Sequence, residues 1–286
     1  MEQEQAREQK NAVFGTNDSI KRQVEAMRVQ MGSALPVNRI PLPSRGKVYP
    51  QTSSLHDLEA VELRAMTTQE ENILSTPALI KNGTVISALI QACLVDKAIN
   101  VGELLSGDRN VLMVAIRSEG YGNEYDAKIK CPECSETFEH TFNLNEFPLK
   151  FLELEPVEPG KNEFPFTLPK SGTKVTFKFL TGTDEEDIVA TQASRKKLKT
   201  GGAGVDDTKT LTLQYSLLSV DGNRDKMNVS NFIRNMRAAD SLALRKYMSD
   251  NQPGIEMSES IKCPHCNAVD QEVTMPIGAS FFWPDS

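Results

Sequence analysis

The 286-residue chain is 39% hydrophobic and 25% charged, enough apolar material for a core in one large domain or two small ones. Its 39 acidic and 32 basic residues leave a net charge of −7, the wrong sign for a protein that must neutralise phosphates. No apolar run is long enough to span a bilayer, and MEQEQAREQKNAVFG lacks the apolar core of a signal peptide. The five cysteines are therefore expected in a reducing compartment, as thiols or metal ligands rather than disulfides.

Residues 1–39 read as a polar N-terminal arm. Asn17, Asp18 and Ser19 can cap a short helix with apolar positions Ile20, Val24, Met27 and Met31, ended by Gly32. Such a narrow stripe is either a solvated tail or a segment that docks on a partner.

Beyond the arm the chain reads as a tandem duplication. Residues 108–134 and 240–266 align without a gap, and nine of the 27 positions are identical, including Asp108/Asp240, Leu112/Leu244, Gly122/Gly254 and the cysteines. Upstream, VELRAMTTQEE (61–71) resembles VTFKFLTGTDEE (175–186), and each is introduced by Leu-Pro-x-x-Gly, at Leu42–Gly46 and Leu168–Gly172. VISALIQACLVD (85–96) matches TLTLQYSLLSVD (210–221) in helical apolar spacing. The expected organisation is an arm (1–39), a first repeat (40–147), a Pro-rich extended linker (148–165) and a second repeat (166–286).

Each repeat is expected to run from a Pro/Gly turn into a strand, as at Val175–Leu180, where Val175, Phe177 and Phe179 alternate with polar residues. An acidic helix start comes next, with Thr67 and Glu70 spaced as a capping box. Asp108 and Asp240 are placed to cap the last helix of each repeat. The exit strand of the first repeat turns Phe138, His140, Phe142 and Leu144 to one face, and that of the second turns Val269, Gln271, Val273 and Met275. A Gly-rich loop at 197–209 belongs to the second repeat alone.

Cys131-Pro-Glu-Cys134 and Cys263-Pro-His-Cys266 carry the clearest chemistry. Two thiolates across a two-residue turn can reach one ion, and a closed structural zinc site needs four. One zinc held by Cys131, Cys134, Cys263 and Cys266 is the economical reading, a zinc-ribbon-like site shared by the two repeats in an α+β fold. Two other readings stand beside it. Cys-Pro-His-Cys also suits a dithiol oxidoreductase using Cys263 and Cys266, which a depressed thiol pKa at Cys263 would signal. A nucleic-acid-binding or transcription-associated zinc ribbon would need basic and aromatic strand positions, where this chain has Thr137, Glu139, Asp270 and Glu272.

His140, between Phe138 and Phe142, is expected to be packed and hydrogen-bonded, and Cys93 to be a core residue. Glu70–Glu71 and Glu185–Glu186 suit helix N-termini better than paired catalytic carboxylates. No phosphate loop, nucleophilic triad or open metal site is present, so no enzymatic activity is expected. Phe281, Phe282 and Trp283 close the chain either tucked into the core or, with Ile20, Val24, Met27 and Met31, as partner contacts.

Taken together, IPLPSRGKVYP (40–50), LRAMTTQEENIL (63–74), GDRNVLMVAIRSEGYGNEY (107–125), KCPEC, KCPHC and SFFWP resemble the baseplate hub and tail-assembly proteins of T-even-type contractile-tailed phages. The resemblance implies a structural or assembly role and no cofactor beyond metal. It further implies other baseplate hub or tail proteins as partners, with no nucleic acid, membrane or small-molecule substrate. It places the chain in the host cytoplasm during assembly and, if it is retained, in the virion tail baseplate.

Overall fold

The computed structural model describes residues 36–198, 207–269, 271–277 and 281–282. The expected arm helix and most of the loop at 197–209 lie outside the described residues. The chain divides into Met1–Asn38 and Arg39–Ser286. Apart from the first residues of β1, every described element belongs to the second unit.

β1 (Val37–Pro41) and β2 (Ala60–Arg64) form a two-stranded sheet. Between them the turn at Leu42–Gly46 buries Leu42 completely, and Gly46 takes φ +71° with a backbone so close to Leu58 that a Cβ would lie 2.2 Å from its nitrogen. Three helices come next: α1 (Thr68–Leu74), α2 (Pro77–Asn82) and α3 (Val85–Cys93). The start of α1 is the capping box its spacing predicts: Thr67 Oγ1 accepts from the Gln69 N–H, while Glu70 accepts from the Thr67 N–H at 2.9 Å. Arg64 clamps the same carboxylate from β2, with Nη2 2.6 Å from Oε1. Cys93 lies in the core as expected, where burial pushes its thiol up to about 11.

α4 (Ser106–Tyr121) leads into the hairpin of β3 (Glu124–Lys130) and β4 (Thr137–Asn143). Alternation holds along β4, with Thr137, Glu139, Thr141 and Asn143 exposed and the intervening residues at least half-buried. The segment 148–165, expected as an extended linker, is tied to both its flanking regions. Its β5 (Leu149–Lys150) pairs with β9 (Gly254–Ile255), the Leu152 N–H donates to the Pro43 carbonyl, and Leu152 is buried. It turns back at Glu158–Lys161, where the Val157 N–H donates to the Glu163 carbonyl at 2.8 Å, and its apolar side chains gain by burial.

β6 (Phe164–Thr167), β7 (Lys174–Phe177) and β8 (Leu217–Val220) make a three-stranded sheet. Val175, Phe177 and Phe179 are buried as the alternation predicts. The remaining helices are α5 (Gly182–Leu198), α6 (Thr208–Ser216), α7 (Lys226–Asn235) and α8 (Ala238–Asn251), and the chain ends in the hairpin of β10 (Ser258–Ile261) and β11 (Gln271–Thr274).

Asp108 and Asp240 do not cap helices. They lie inside α4 and α8, whose flanking residues Leu105 and Arg237 make no side-chain cap. Both carboxylates are buried, and each accepts a hydrogen bond from the middle of a Leu-Pro-x-x-Gly turn: the Ser44 N–H to Asp108 at 2.9 Å and the Lys170 N–H to Asp240 at 2.7 Å. Tyr49 adds a second hydrogen bond to Asp108, also at 2.9 Å. A second parallel lies at the start of α5, where Thr181 and Asp184 exchange hydrogen bonds and Lys178 Nζ sits 2.7 Å from Asp184. Arg64, Thr67 and Glu70 hold the same sequence offsets from one another as Lys178, Thr181 and Asp184.

The start of α5 docks on the segment before α4. The Gly182 N–H donates to the Leu104 carbonyl, the Ser106 N–H to the Leu180 carbonyl, and Arg109 reaches Glu185 at 2.8 Å. Arg109 is 6% exposed at its side chain, and Ser87 accepts from its other terminal nitrogen, so the cation is desolvated but paired. Glu185 and Glu186 are thus partners of a buried arginine as well as residues of a helix start. Composition points to no such clasp, because Arg109 reads in isolation as a charged residue on a helix surface.

Candidate metal centre

Each cysteine pair sits at the tip of a two-stranded hairpin. At the first tip the Cys131 N–H donates to the Glu136 carbonyl at 2.8 Å and the Ser135 N–H to the Cys131 carbonyl at 2.9 Å. At the second, the Cys263 N–H donates to the Ala268 carbonyl and the Asn267 N–H to the Cys263 carbonyl, both at 3.0 Å. Ser135 and Asn267 take φ of 63° and 58°, the left-handed conformation that bends the chain back after the second cysteine. A proline follows each first cysteine and fixes φ within the turn that carries both sulfurs.

The two tips face one another although 132 positions separate them in sequence. Cys131 Sγ lies 3.8 Å from Cys266 Sγ, and Cys134 Sγ lies 3.8 Å from Cys263 Sγ. All four sulfurs fall within 4.8 Å of one another. A tetrahedron with metal–sulfur bonds of about 2.3 Å has edges of about 3.8 Å, the spacing of the Cys131–Cys266 and Cys134–Cys263 sulfurs, and the four sulfurs together are close enough to hold one ion. The four cysteines are reduced, with Cys131 and Cys263 buried and Cys266 exposed.

Burial works against charge at Cys263, but the N–H groups of Cys266 and His265 and the thiols of Cys131 and Cys266 outweigh it and bring Cys263 down to about 6. At Cys134 the Glu136 N–H favours the thiolate, but burial and the other three thiols push it up to about 12. A divalent cation would favour the thiolates over this mutual resistance.

A depressed thiol at Cys263 is also the signature of a dithiol oxidoreductase, and the surrounding geometry points the other way. Attacking thiols in that chemistry are accessible and begin a helix. Cys263 is 1% exposed, comes after a strand, and has three thiols around it rather than one.

Around the cysteines, His140 joins the two hairpins: its Nε2 lies 3.3 Å from Glu259 and its ring packs edge-on against Phe142 at 4.6 Å. It is a packed, hydrogen-bonded residue, as expected. Glu259 has no motif around it and becomes visible only through this contact. His265 and Glu133 are both exposed. The outward strand positions carry Glu139 and Glu272. Lys128 and Lys130 are also exposed, but they stand beside Glu124 and Asp126 on β3, so no basic stripe forms.

Of the residues expected as partner contacts, Phe281 and Phe282 are taken up by the core, at 0% and 3% exposure, with Phe281 edge-on to Tyr125 at 5.2 Å. Side chains so covered offer nothing to a partner, and the docking expectation is withdrawn for these two. Ile20, Val24, Met27, Met31 and Trp283 lie outside the described residues. No helix among the described residues is long and apolar enough to cross a membrane.

A family described as T4 bacteriophage base plate protein matches residues 38–283. No curated protein and no solved structure matches the chain. The match covers most of the sequence, and the chain belongs to the T4 bacteriophage base plate protein family.

Proposed function

We propose that this member of the T4 bacteriophage base plate protein family is a non-catalytic structural or assembly component of the baseplate hub, built from two copies of one ancestral half and stapled by a single structural zinc ion. Other tail proteins are its partners, as family membership implies. The observation that carries the zinc reading is the convergence of Cys131, Cys134, Cys263 and Cys266 within 4.8 Å. Zinc suits it because four thiolates without an open position make a closed, redox-silent site. The ion would hold the β3–β4 hairpin to the β10–β11 hairpin, so its binding free energy would act on the contact between halves rather than on one loop.

Three paired features support the duplication: two knuckles closed by a left-handed residue at the matching position (Ser135 and Asn267), two buried aspartates binding the same turn position, and two Thr-acid-cation clusters at helix starts. The halves are then 40–147 and 166–286, with 148–165 joining them. The arm, residues 1–39, has no counterpart in the second half. It is proposed to dock on a hub or tail protein through Ile20, Val24, Met27 and Met31.

Native mass spectrometry of the purified chain tests the staple, with one zinc per folded monomer expected. A folded, metal-free chain would overturn it. Crosslinking within purified tails tests the role: crosslinks to baseplate proteins are expected, and removal of residues 1–36 should abolish them while leaving zinc content intact. Undiminished crosslinking after truncation would refute the role given to the arm.

A further inference from the structure

One contact between the two halves is used once, and its counterparts are bare. On the duplicated-halves reading, on which this inference rests, Leu104–Arg109 corresponds to Met236–Ser241, and Thr181–Glu186 corresponds to Thr67–Asn72. The first member of each pair forms the clasp at α4 and α5. Leu104, Leu105, Ser106, Gly107 and Arg109 are all buried there. In the second half, Arg237, Ala238 and Ala239 are exposed, Met236 and Ser241 are half-buried, and Leu242 beside them is 59% exposed. At the start of α1, Thr68 is exposed where its counterpart Gly182 is buried, and Asn72 is exposed where Glu186 is half-buried, whereas Gln69 is exposed like its counterpart Thr183. The chain therefore carries one filled copy of the contact and both of its halves again, unfilled, at opposite ends of the repeat order.

Charge matches the two open surfaces. Residues 40–147 contain nine basic and fifteen acidic residues, whereas 166–286 contain fifteen of each. The second-half surface is flanked in sequence by Arg234, Arg237 and Lys246, all exposed, and by the half-buried Arg245; Arg237 also donates to the Lys170 carbonyl at 3.3 Å. At the α1 start Glu70 is buried and paired with Arg64, so the open negative charge is that of Glu71, half-buried in the first turn, and of Glu62, exposed on the adjoining strand. Complementary potentials of this kind select a partner and set its orientation.

We propose that the surface at Met236–Leu242 is an interaction site for a second copy of this chain, which docks the start of its own α1, Thr68–Asn72, head to tail. The contact repeats between chains what Leu104–Arg109 and the start of α5 do within one. Because the two surfaces differ, the association is heterologous: it closes into a ring or extends, and it does not pair identical faces across a two-fold axis.

Two variants separate this geometry from others. Ala239→Glu puts an acidic side chain into the second-half surface, at an exposed first-turn position where a helix tolerates it. Gln69→Arg puts a cation on the exposed α1 start, opposite the basic residues that flank the second-half surface. Sedimentation of the zinc-loaded full chain over rising concentration should show self-association, and each variant alone should weaken it about tenfold or more. Mixed in equal amounts, the two variants should form a dimer and nothing larger, since each retains the surface that the other lacks.

Failure of the mixture to dimerise, or a monomeric wild-type chain at every concentration, overturns the contact. Association that chelation abolishes but both substitutions spare also overturns it, assigning the assembly to metal bridging. Zinc content and circular dichroism on the same samples keep the underlying reading distinguishable. A monomer with one zinc leaves the duplicated halves standing without the contact, whereas two independent zinc sites sink the shared-site reading itself.

Discussion

Replacing Glu70 by Gln isolates one charge at a buried helix start. The carboxylate receives the Thr67 N–H and both terminal nitrogens of Arg64, at 2.6 and 3.2 Å, with side-chain exposures of 4% for Glu70 and 22% for Arg64. Burial opposes the charge there, yet the hydrogen bonds from Arg64 and Thr67 win and hold Glu70 down at about 2, against an ordinary 4.5. Two and a half pH units correspond to roughly 3.4 kcal/mol at most, and partial exposure of Arg64 reduces that to about 2–3 kcal/mol. Gln keeps the amide oxygen for the Thr67 N–H, so the backbone cap survives and the charge alone is removed. Because the folded-state pKa is depressed, the contribution is fully present above about pH 4.5 and is lost as the pH falls toward about 2. Urea unfolding of wild type and Glu70→Gln should therefore differ by about 2–3 kcal/mol near pH 7 and converge below about pH 3. Both proteins keep the same four cysteines, so acid release of metal cancels in the difference. A deficit that stays constant across that range, or none near pH 7, refutes the account of Arg64 and Glu70.

Cys263→Ser should abolish zinc binding and broaden the unfolding transition as the two hairpins separate, read by native mass spectrometry and calorimetry; an unchanged melting temperature without zinc contradicts the staple. Gly107→Ala should cost about 3 kcal/mol or more, because its Cβ would lie 1.6 Å from the Pro253 carbonyl oxygen, backbone against backbone. Gly122→Ala meets no neighbouring atom but must hold φ +85° and ψ 174°, a conformation essentially restricted to glycine, so it should cost about 1–3 kcal/mol, and urea unfolding of the pair gives the comparison. Phe281→Ala should lose about 3–5 kcal/mol by the same assay, since the ring is fully buried against Tyr125; a neutral result would show the chain end to be detached from the core.

The features legible in the sequence are those that neighbouring residues settle among themselves. The Thr67–Glu70 capping box, the alternation along Val175–Phe179 and Thr137–Asn143, and the turns of the two Cys-Pro-x-Cys tips all depend on contacts within a few positions. The two matching Cys-Pro-x-Cys motifs point to tips that share one ion, but only folding brings the four sulfurs within 4.8 Å of one another. Asp108 and Asp240 show the limit most plainly. Their position near a helix start suggests a cap, yet their hydrogen-bond donors lie 64 and 70 residues away, and burial against those turns outweighs local capping. The prolines of 148–165 read as a linker because proline removes donors locally; Leu152 and the β5–β9 pairing tie it down through partners that no local pattern names. Arg109 likewise acquires its role from Glu185, 76 residues away. Local geometry is encoded where the interacting atoms are close in sequence, whereas the pairing of distant polar groups is decided by which apolar surfaces bury together first, since a desolvated charge or amide must take the partner the core leaves beside it.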